Sequence, residues 1–508
     1  MSVARTWAVA LVGLEGTLVE VEADLSKQVP EFRIIGLADK ALGEAVQRVH
    51  NACANSGTPL PKRRLTVNLS PASLPKQGSG FDLAVAIAAL ATEGGMSADS
   101  VAGTVHIGEL GLDGRVRPVA GILPAVLAAQ RAGRTRVVVP HANRAEAELV
   151  TGVDVHAAAT LAEVVRLHGA DVEVPDVDPV TVEEIAQAEP RRLDLAEVIG
   201  QRDAVDALVV AAAGGHHLLM SGPPGAGKTM IAERLPGILP DLDDAAALRA
   251  ASIRSLSGAT VRTLTRTPPF EAPHHSASVA ALVGGGSRVV RPGAIVRASE
   301  GVLFLDEATE YPASTLDALR QPLETGQIEI HRAGFTASFP ARFQLVLASN
   351  PCPCGNYGVR GASCTCPPIA IRRYLGRLSG PLLDRIDIEL SVRRVAVAHA
   401  DPDQPGTTTA DARARVHEAR ARARHRLRGT PWRLNGEVSG EWLRLGPLAP
   451  TEVVRRPLAA ALNRGALTMR GYHRILRVAW SLADLAGRDR LSVDDVGRAL
   501  YLKRGLHS

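Results

Sequence analysis

One eight-residue segment, residues 222–229, constrains the fold of this chain more than any other part of its sequence. It fits the pattern G-x-x-x-x-G-K-[ST], a hydrophobic strand (218–220) leads into it, and a helix is predicted from its last residue. In that setting, glycine-rich backbone wraps a phosphate group, which also meets the positive end of the helix. The segment therefore predicts a parallel α/β core that binds a nucleotide through Gly222, Pro223, Pro224, Gly225, Ala226, Gly227, Lys228 and Thr229.

Four side chains at such a site have distinct expected roles. Lys228 should reach the β- and γ-phosphates of ATP, and Thr229 should coordinate Mg²⁺. Further along the chain, the apolar segment 301–305 ends in Asp306 and Glu307. We expect Asp306 to hold Mg²⁺ through water. We expect Glu307 to orient and deprotonate the attacking water, which favours hydrolysis over binding alone.

Three later segments complete a resemblance to a known family. A third predicted strand ends at Asn350, the segment 380–387 contains Arg385, and a C-terminal helical segment contains Arg470 and Arg474. Together with the phosphate-binding segment they resemble the AAA+ ATPases, specifically the magnesium-chelatase/MCM-like branch. The resemblance implies that Asn350 is sensor 1 and that Arg385 is an arginine finger donated to a neighbour's ATP. It implies a sensor-2 role for Arg470, with Arg474 as the second candidate. It also implies a ring of subunits, and the family favours a hexamer.

Two inserted segments and the N-terminal region indicate more specifically which AAA+ relatives the chain resembles. Residues 273–286, with the paired His274 and His275, look like the insert of magnesium-chelatase relatives, and residues 327–343 look like the hairpin before sensor 1. In MCM-type helicases such inserts face the central pore and contact DNA. Residues 24–83 look like the N-terminal domain of the YifB/ComM family, so the resemblance covers essentially the whole chain. It implies a hexameric motor on single-stranded or branched DNA, for branch migration in recombination or natural transformation.

The N-terminal region also resembles the Lon protease fold, in which a Ser–Lys dyad cleaves peptides. The resemblance places Gly80 and Leu123 at the two dyad positions, and neither side chain can act as nucleophile or base. Ser79 lies one residue from the nucleophile position, and Lys76 is no evident substitute base. We therefore expect a domain without proteolytic activity that engages DNA or organises the ring.

Four of the five cysteines lie within fifteen residues, directly after Asn350, with the spacing C-x-C-x9-C-x-C. Four thiolates in two close pairs can complete a tetrahedral Zn²⁺ site, and a reducing cytoplasm disfavours disulfides. The C-x-C spacing is tighter than the usual C-x-x-C, so redox-sensitive thiols and a metal-free loop stay open as alternatives. The candidate zinc ligands are Cys352, Cys354, Cys364 and Cys366.

Two other functions stay open at this point. The motor subunit of magnesium chelatase, which drives metal insertion into a porphyrin, shares the ATPase core but lacks the Lon-like domain and the cysteine cluster. A nucleotide-switched scaffold would bind DNA without moving along it. The presence of both Glu307 and Arg385 favours turnover over a passive switch.

Composition and segment patterns predict the organisation of the whole chain. Hydrophobic residues make up 46% of its 508 residues, enough for sizeable cores, and the net charge of +5 is compatible with nucleic acid. No segment has the roughly 18 consecutive apolar residues of a membrane span, so we expect a cytoplasmic protein without a membrane partner. We predict an α/β fold divided into a Lon-like domain (1–168), a linker (169–194), an AAA+ ATPase core (195–393) with a cysteine-rich insert (352–366), and a C-terminal helical lid (394–508).

Overall fold

Two main sheets organise the chain, a seven-stranded sheet in the N-terminal region and a five-stranded sheet in the centre. A helical C-terminal region packs beside the second sheet. None of the helices described is long and apolar enough to cross a membrane. The computed structural model describes residues 3–36, 44–76, 78–181, 193–286, 290–332, 335–359, 361–394 and 406–504.

The N-terminal sheet forms because apolar side chains alternate along its strands. Its strands and the two short strands beside it are β1 (Val3–Val12), β2 (Glu15–Ser26), β3 (Glu31–Ile35), β4 (Arg64–Ser70), β5 (Thr104–His106), β6 (Glu109–Leu110), β7 (Val116–Arg117), β8 (Arg136–Pro140) and β9 (Asp154–Ala158). The sheet order is β3-β4-β2-β1-β5-β8-β9, and β6 and β7 form a separate hairpin. On β2, Val19, Val21 and Ala23 are fully buried, as the alternating pattern predicts.

In the described residues, six helices accompany this sheet. One of them, residues 82–91, is apolar nearly all round and is buried from Asp82 to Ala89, which fits a helix enclosed by the fold. Residues 170–181, in the predicted linker, have no regular secondary structure. The helices are α1 (Ala45–Asn55), α2 (Asp82–Ala91), α3 (Ala98–Ala102), α4 (Ile122–Arg131), α5 (Arg144–Ala147) and α6 (Leu161–Leu167).

The central sheet has five parallel strands, whose carboxyl ends all lie at one edge. The strands of this region are β10 (Leu218–Ser221), β11 (Phe270–Glu271), β12 (Gly284–Gly285), β13 (Arg291–Pro292), β14 (Val302–Leu305), β15 (Gln327–Arg332), β16 (Phe335–Pro340), β17 (Gln344–Ser349) and β18 (Ile388–Ser391). The sheet order is β11-β14-β17-β10-β18. Its edge therefore collects the segments that follow β10, β14 and β17, which contain the predicted nucleotide site.

The described part of this central region contains ten helices, and most of them are short. The predicted hairpin before sensor 1 is present as the antiparallel pair β15–β16, and its tip residues 333 and 334 lie outside the described residues. The helices are α7 (Arg202–Gly214), α8 (Lys228–Ala232), α9 (Leu235–Ile238), α10 (Asp244–Leu256), α11 (Val279–Val283), α12 (Ala294–Arg297), α13 (Ala313–Asp317), α14 (Arg320–Thr325), α15 (Pro368–Leu375) and α16 (Gly380–Leu383).

Five helices form the C-terminal region as far as the structure describes it, over residues 406–504. The first of them buries a stripe that includes Val416, Ala419 and Ala423, and Val416 belongs to the cluster shared with the central region, while most of its arginines face outward. Arg420 is an exception, because its buried guanidinium donates two hydrogen bonds to the carbonyl of Ala212 at 2.9 and 2.7 Å. The helices are α17 (Thr409–Arg426), α18 (Gly440–Leu445), α19 (Glu452–Asn463), α20 (Met469–Leu485) and α21 (Val493–Arg504).

The turn between β1 and β2 packs against the hairpin β15–β16. Gly13 has a φ of +66°, and a Cβ added there would lie 2.6 Å from the carbonyl oxygen of Ser338. Leu11 and Leu14 on either side pack against the cluster of buried side chains that contains Phe339. Only glycine fits both the backbone conformation and the space, so the N-terminal region meets the base of the hairpin at a tightly fitted point.

A second contact joins the N-terminal region to α10. The backbone N–H of Gly121 donates to the carbonyl of Ser255 at 3.1 Å, and that of Leu123 donates to the Ser255 hydroxyl at 3.4 Å. Glu146 is buried beside Ser255, one of its carboxyl oxygens lacks a hydrogen-bond partner, and burial raises its pKa to about 7. The contact therefore contains a carboxyl group that is costly to ionise.

Candidate active site

The phosphate-binding loop has a backbone that glycine alone accommodates. Gly225 and Gly227 have φ values of +74° and +83°, a region that other residues rarely adopt. At Gly222 an added Cβ would lie 2.1 Å from the carbonyl oxygen of Val392, at the end of the neighbouring strand. The loop ends where α8 begins at Lys228, so it leads directly into a helix N-terminus, as the sequence pattern predicts.

Lys228 is held at the carboxyl edge of the central sheet. Its ammonium donates hydrogen bonds to the carbonyls of Gly222 (2.7 Å) and Pro223 (3.1 Å), and to Oδ1 of Asn350 (3.1 Å). Burial lowers the pKa of the Lys228 ammonium, although Asp306 opposes that effect. The predicted phosphate-binding lysine and the predicted sensor 1 are thus in direct contact.

The two predicted Mg²⁺-binding side chains also meet. The hydroxyl of Thr229 donates to Oδ2 of Asp306 at 2.6 Å, and Oδ1 of Asp306 accepts the backbone N–H of Glu307 at 2.9 Å. Hydroxyl and carboxylate oxygens are the ligands that Mg²⁺ prefers. Glu307 has a φ of +50°, a strained conformation for a residue with a side chain, and such strain clusters at functional sites.

The sequence alone did not identify His275 as part of this site. Its Nδ1 lies 3.0 Å from Oε2 of Glu307, and its ring packs against that of His274 with centroids 4.1 Å apart. The hydroxyl of Tyr311 donates to the carbonyl of Pro273 at 2.5 Å and so holds the segment that carries both histidines. Their position just after β11, the neighbour of β14 in the sheet, brings them to this site, and no local sequence pattern shows that strand order.

Two further polar side chains contact the phosphate-binding loop. Nε of Arg394, just after β18, donates to the carbonyl of Pro224 at 3.0 Å. Nε2 of Gln201, just before α7, donates to the carbonyl of Ala226 at 3.3 Å. Both residues are far from the loop in sequence, and neither belongs to a motif, so the fold was needed to place them.

Arg385 and Arg470 lie at the opposite edge of the sheet. Arg385 precedes β18, which runs parallel to β10, so the length of β18, about 13 Å, separates it from the loop that follows β10. Arg385 donates to a carboxylate oxygen of Glu324 at 2.6 Å. Arg470 donates to Oδ2 of Asp384 at 3.0 Å, and 74% of its side chain is exposed. The structure therefore brings these two arginines together on one face, away from the nucleotide site of their own chain.

Arg474, the second sensor-2 candidate, is instead part of a buried ion pair. It donates to Oδ1 of Asp387 at 2.5 Å and to the carbonyl of Arg385 at 2.8 Å. Burial alone would raise the pKa of the Asp387 carboxyl, but the charge of Arg474 and a hydrogen bond with His216 hold it well below its usual range. Arg474 thus supports the segment that carries Arg385, and is not free to reach a nucleotide.

The four clustered cysteines converge on a single point. All four sulfur atoms lie within 4.8 Å of one another, and no other such group of possible metal ligands occurs in the described part of the chain. The Sγ atom of Cys352 lies 3.4 Å from that of Cys354 and 3.7 Å from that of Cys364, and the last two are also 3.7 Å apart. A tetrahedron with Zn–S bonds of about 2.3 Å has edges of about 3.8 Å. The geometry fits a four-thiolate metal site.

Backbone N–H groups also point at these sulfurs. Tyr357 donates its N–H to Cys352 Sγ at 3.3 Å. A hydrogen bond from the backbone of Asn356, helped by the neighbouring thiol of Cys352, lowers the pKa of Cys354 to about 6. A backbone hydrogen bond from Cys366 lowers the pKa of Cys364, but burial and the neighbouring thiols of Cys354 and Cys352 raise that pKa to about 12, so one thiolate in the cluster disfavours the next.

In the N-terminal region, the candidate residues for a peptidase dyad have other partners. The ammonium of Lys76 donates to the carbonyls of Pro71 and Leu74, and the hydroxyl of Ser79 donates to Glu109. Leu123, at the expected lysine position, is fully buried. The absence of proteolytic activity stays a prediction, now supported by these contacts.

Three family models match the chain. They are magnesium chelatase, subunit ChlI, over residues 194–400; subunit ChlI of Mg-chelatase over residues 21–143; and the C-terminal part of subunit ChlI over residues 406–503. A shorter similarity to the Lon protease of Mycolicibacterium smegmatis, 27% identical over 170 residues, covers 31% of this chain and 21% of that protein. The fold is therefore an α/β AAA+ core with a Lon-like part and a helical C-terminal region.

Relatives that match over nearly the whole chain identify the family more specifically. An uncharacterized protein of Mycobacterium tuberculosis is 47% identical over 99% of both chains. The competence protein ComM of Haemophilus influenzae is 41% identical over 98% of this chain and 97% of its own length. The uncharacterized protein YifB of Salmonella typhimurium is 38% identical over 97% of this chain and 95% of its own. The chain belongs to the YifB/ComM family of magnesium-chelatase-like AAA+ ATPases.

Proposed function

We propose that this protein is an ATP-hydrolysing ring motor that acts on single-stranded or branched DNA and drives branch migration in recombination or natural transformation. The observation that carries the proposal is the collection of complementary groups at one edge of the central sheet. An ammonium, a hydroxyl, two carboxylates and an amide meet there, from Lys228, Thr229, Asp306, Glu307 and Asn350.

The proposed hydrolysis follows from these groups. Lys228 neutralises the β- and γ-phosphates, and Thr229 and Asp306 hold the Mg²⁺ that stabilises charge on the phosphate oxygens. Glu307 accepts the proton of the attacking water, and Asn350 positions that water or the γ-phosphate. His275 contacts Glu307 and so orients the carboxylate that acts as the base.

A ring is proposed because one chain does not complete the site. Arg385 and Arg470 share one face at the far edge of the sheet, where they can approach the nucleotide of a neighbouring subunit. Arg385 must leave Glu324 to do so. A contact between two different faces repeats around an axis and closes into a ring when the rotation allows it, and the family favours a hexamer.

The DNA part of the proposal rests on the hairpin and the family. His331 lies near the tip of the hairpin β15–β16 with 73% of its side chain exposed, which suits contact with a phosphate group. The relative named a competence protein supports a role in handling imported DNA. The chain's net charge of +5 is compatible with that ligand.

We also propose that the four clustered cysteines bind one Zn²⁺ per chain. The sulfur separations of 3.4 to 3.7 Å support this assignment. Elemental analysis of protein purified reduced and without chelator should give about one zinc per chain, as four thiolates close a structural site. Replacing Cys364 and Cys366 with serine should release the metal. Protein without stoichiometric metal would refute the zinc assignment.

The ATPase rate of the full chain, measured with and without single-stranded, duplex and forked DNA, tests the motor proposal. We expect hydrolysis that DNA stimulates, together with a hexameric mass in solution with ATP. Hydrolysis that no DNA affects would favour a magnesium-chelatase-type motor subunit. DNA binding without turnover would favour a nucleotide-switched scaffold. Either result would overturn the DNA motor.

A further inference from the structure

We infer that the cysteine cluster is a metal-dependent clamp on the phosphate-binding loop, so that the metal sets the affinity for ATP. This inference rests on the proposed Zn²⁺ site and assigns that site a task. It concerns the segment 349–355, which leaves the sensor-1 strand, carries the first cysteine pair and lies directly against residues 222–228.

Three contacts join this segment to the phosphate-binding loop. The carbonyl of Ser349 accepts the N–H of Gly222 at 3.2 Å. Oδ1 of Asn350 accepts the ammonium of Lys228 at 3.1 Å. In the third contact, Gly355, which directly follows Cys354, packs on Pro224. The segment thus contacts the beginning, the middle and the lysine of the loop.

The contact of Gly355 with Pro224 links the cysteine cluster to the loop most directly. Gly355 has a φ of +78°, and a Cβ added there would lie 2.4 Å from Cδ and 2.9 Å from Cγ of the proline ring. Its backbone N–H donates to the carbonyl of Cys352 at 2.9 Å, inside the first cysteine pair. Pro224 also accepts the hydrogen bond from Arg394. The proline is therefore held between the cysteine turn and the end of β18.

The metal matters because only turn hydrogen bonds, such as the one from the N–H of Val359 to the carbonyl of Asn356 at 3.2 Å, otherwise order this segment. Residues 351–359 and 361–367 have no helix or strand, and Cys352 is the only one of the four cysteines that is fully buried. A metal bound by both pairs ties Cys352 and Cys354 to Cys364 and Cys366 and restricts the turn to one arrangement. Without it, the competent arrangement of Pro224 is populated less, and the apparent Kd for ATP rises in proportion.

Two glycines in the same segment allow a matched test. Gly355→Ala places a methyl group against Pro224, whereas Gly358, with a similar φ of +73°, has nothing within 4 Å of an added Cβ. Both substitutions place a side chain at a similar positive φ, but only the first disturbs the contact. Titration of the full-length proteins with a fluorescent ATP analogue and Mg²⁺, alongside zinc analysis, gives affinity and metal content together.

We expect Gly355→Ala to keep its zinc and to raise the Kd about tenfold, as when the competent fraction falls to about a tenth. Gly358→Ala should stay within about twofold of the unmodified protein, because it lacks the contact. Equal affinities for the two variants, with zinc bound in both, would overturn the clamp and leave the zinc assignment standing.

Removal of the metal from the unmodified protein tests the same claim without a substitution. Zinc is stripped with a chelator, the chelator is removed, and Mg²⁺ is restored before the ATP analogue is added. We expect the Kd to rise about tenfold and to recover when Zn²⁺ is returned. An unchanged Kd in stripped protein overturns the clamp. Protein that never contained zinc overturns both the zinc assignment and the inference.

Discussion

Replacing Arg474 with alanine should loosen the junction between α20 and the start of β18, whereas the same change at Arg470 should not. The two arginines lie one turn apart on the same helix. Arg474 has 15% of its side chain exposed and binds Asp387, which is 3% exposed. Arg470 has 74% exposed, and its partner Asp384 is also at the surface. The different burial of the two ion pairs is the reason why we expect different effects from the two substitutions.

The magnitudes follow from the two environments. Removing one partner of a buried ion pair costs about 3–5 kcal/mol, because the other charge stays buried and unpaired. His216 still lies 3.3 Å from the Asp387 carboxylate, so we expect the lower end, about 3 kcal/mol. An exposed pair such as Arg470 with Asp384 contributes about 0–1 kcal/mol.

Amide hydrogen exchange of the full chain, followed on peptides that cover residues 384–391, measures the free energy of local opening. A loss of about 3 kcal/mol makes exchange there about 10²-fold faster, since about 1.4 kcal/mol is a factor of ten. Arg470→Ala is the matched control, with exchange within about fivefold of the unmodified protein. The ATPase rate of Arg470→Ala should fall, because this substitution removes a charge that is proposed to face the neighbour's nucleotide. Unchanged exchange in Arg474→Ala would refute the structural role of that residue.

The remaining predictions concern the nucleotide site and the two contacts of the N-terminal region. Lys228→Ala should abolish nucleotide binding, while Glu307→Gln should bind ATP and hydrolyse it very slowly; normal turnover in Glu307→Gln would exclude that carboxylate as the base. The Glu146 carboxyl has a pKa of about 7 in the fold and an ordinary value of 4.5, so its stabilising contribution is complete below pH 4.5 and is lost as the pH rises through 7. Glu146→Gln should therefore raise the melting temperature at pH 8 and flatten its dependence on pH; parallel melting curves for the two proteins would contradict this. Gly13→Ala should destabilise the contact with Ser338 by about 1–3 kcal/mol, the range for strained backbone, and a melting temperature equal to that of the unmodified protein would show that the contact is dispensable.

The local parts of the nucleotide site were predictable because each depends on a short motif. The phosphate-binding loop lies between a buried strand and a helix, and Asp306 and Asn350 each follow an apolar strand. Parallel strands bring their carboxyl ends to one edge, so these residues had to meet once the strands shared a sheet. Strand order places β17 between β14 and β10, which puts Asn350 beside Lys228.

Contacts between distant segments were not predictable from local patterns. His275 reaches Glu307 only because β11 lies beside β14. Gly355 meets Pro224 because the cysteine segment folds back over the loop, and a glycine in a turn gives no sign of what it touches. The resemblance to the sensor-2 helix favoured Arg470, with Arg474 as the second candidate, but it did not show that Arg474 pairs with a buried carboxylate, Asp387.

The central claim is that ATP is hydrolysed at a site shared between neighbouring subunits, and mixing two inactive variants tests it most directly. Arg385→Ala should lower turnover by about 10³-fold or more while sparing ATP binding. The Lys228→Ala subunit lacks a working phosphate-binding loop but keeps the arginine finger, Arg385. The two defects lie on opposite faces of a repeating contact. If subunits exchange at random in an equal mixture, about a quarter of the interfaces therefore combine an intact Lys228 from one subunit with an intact Arg385 from the next. We predict partial recovery of ATPase activity in the mixture. No recovery at any ratio, in rings shown to exchange subunits, would contradict the shared site.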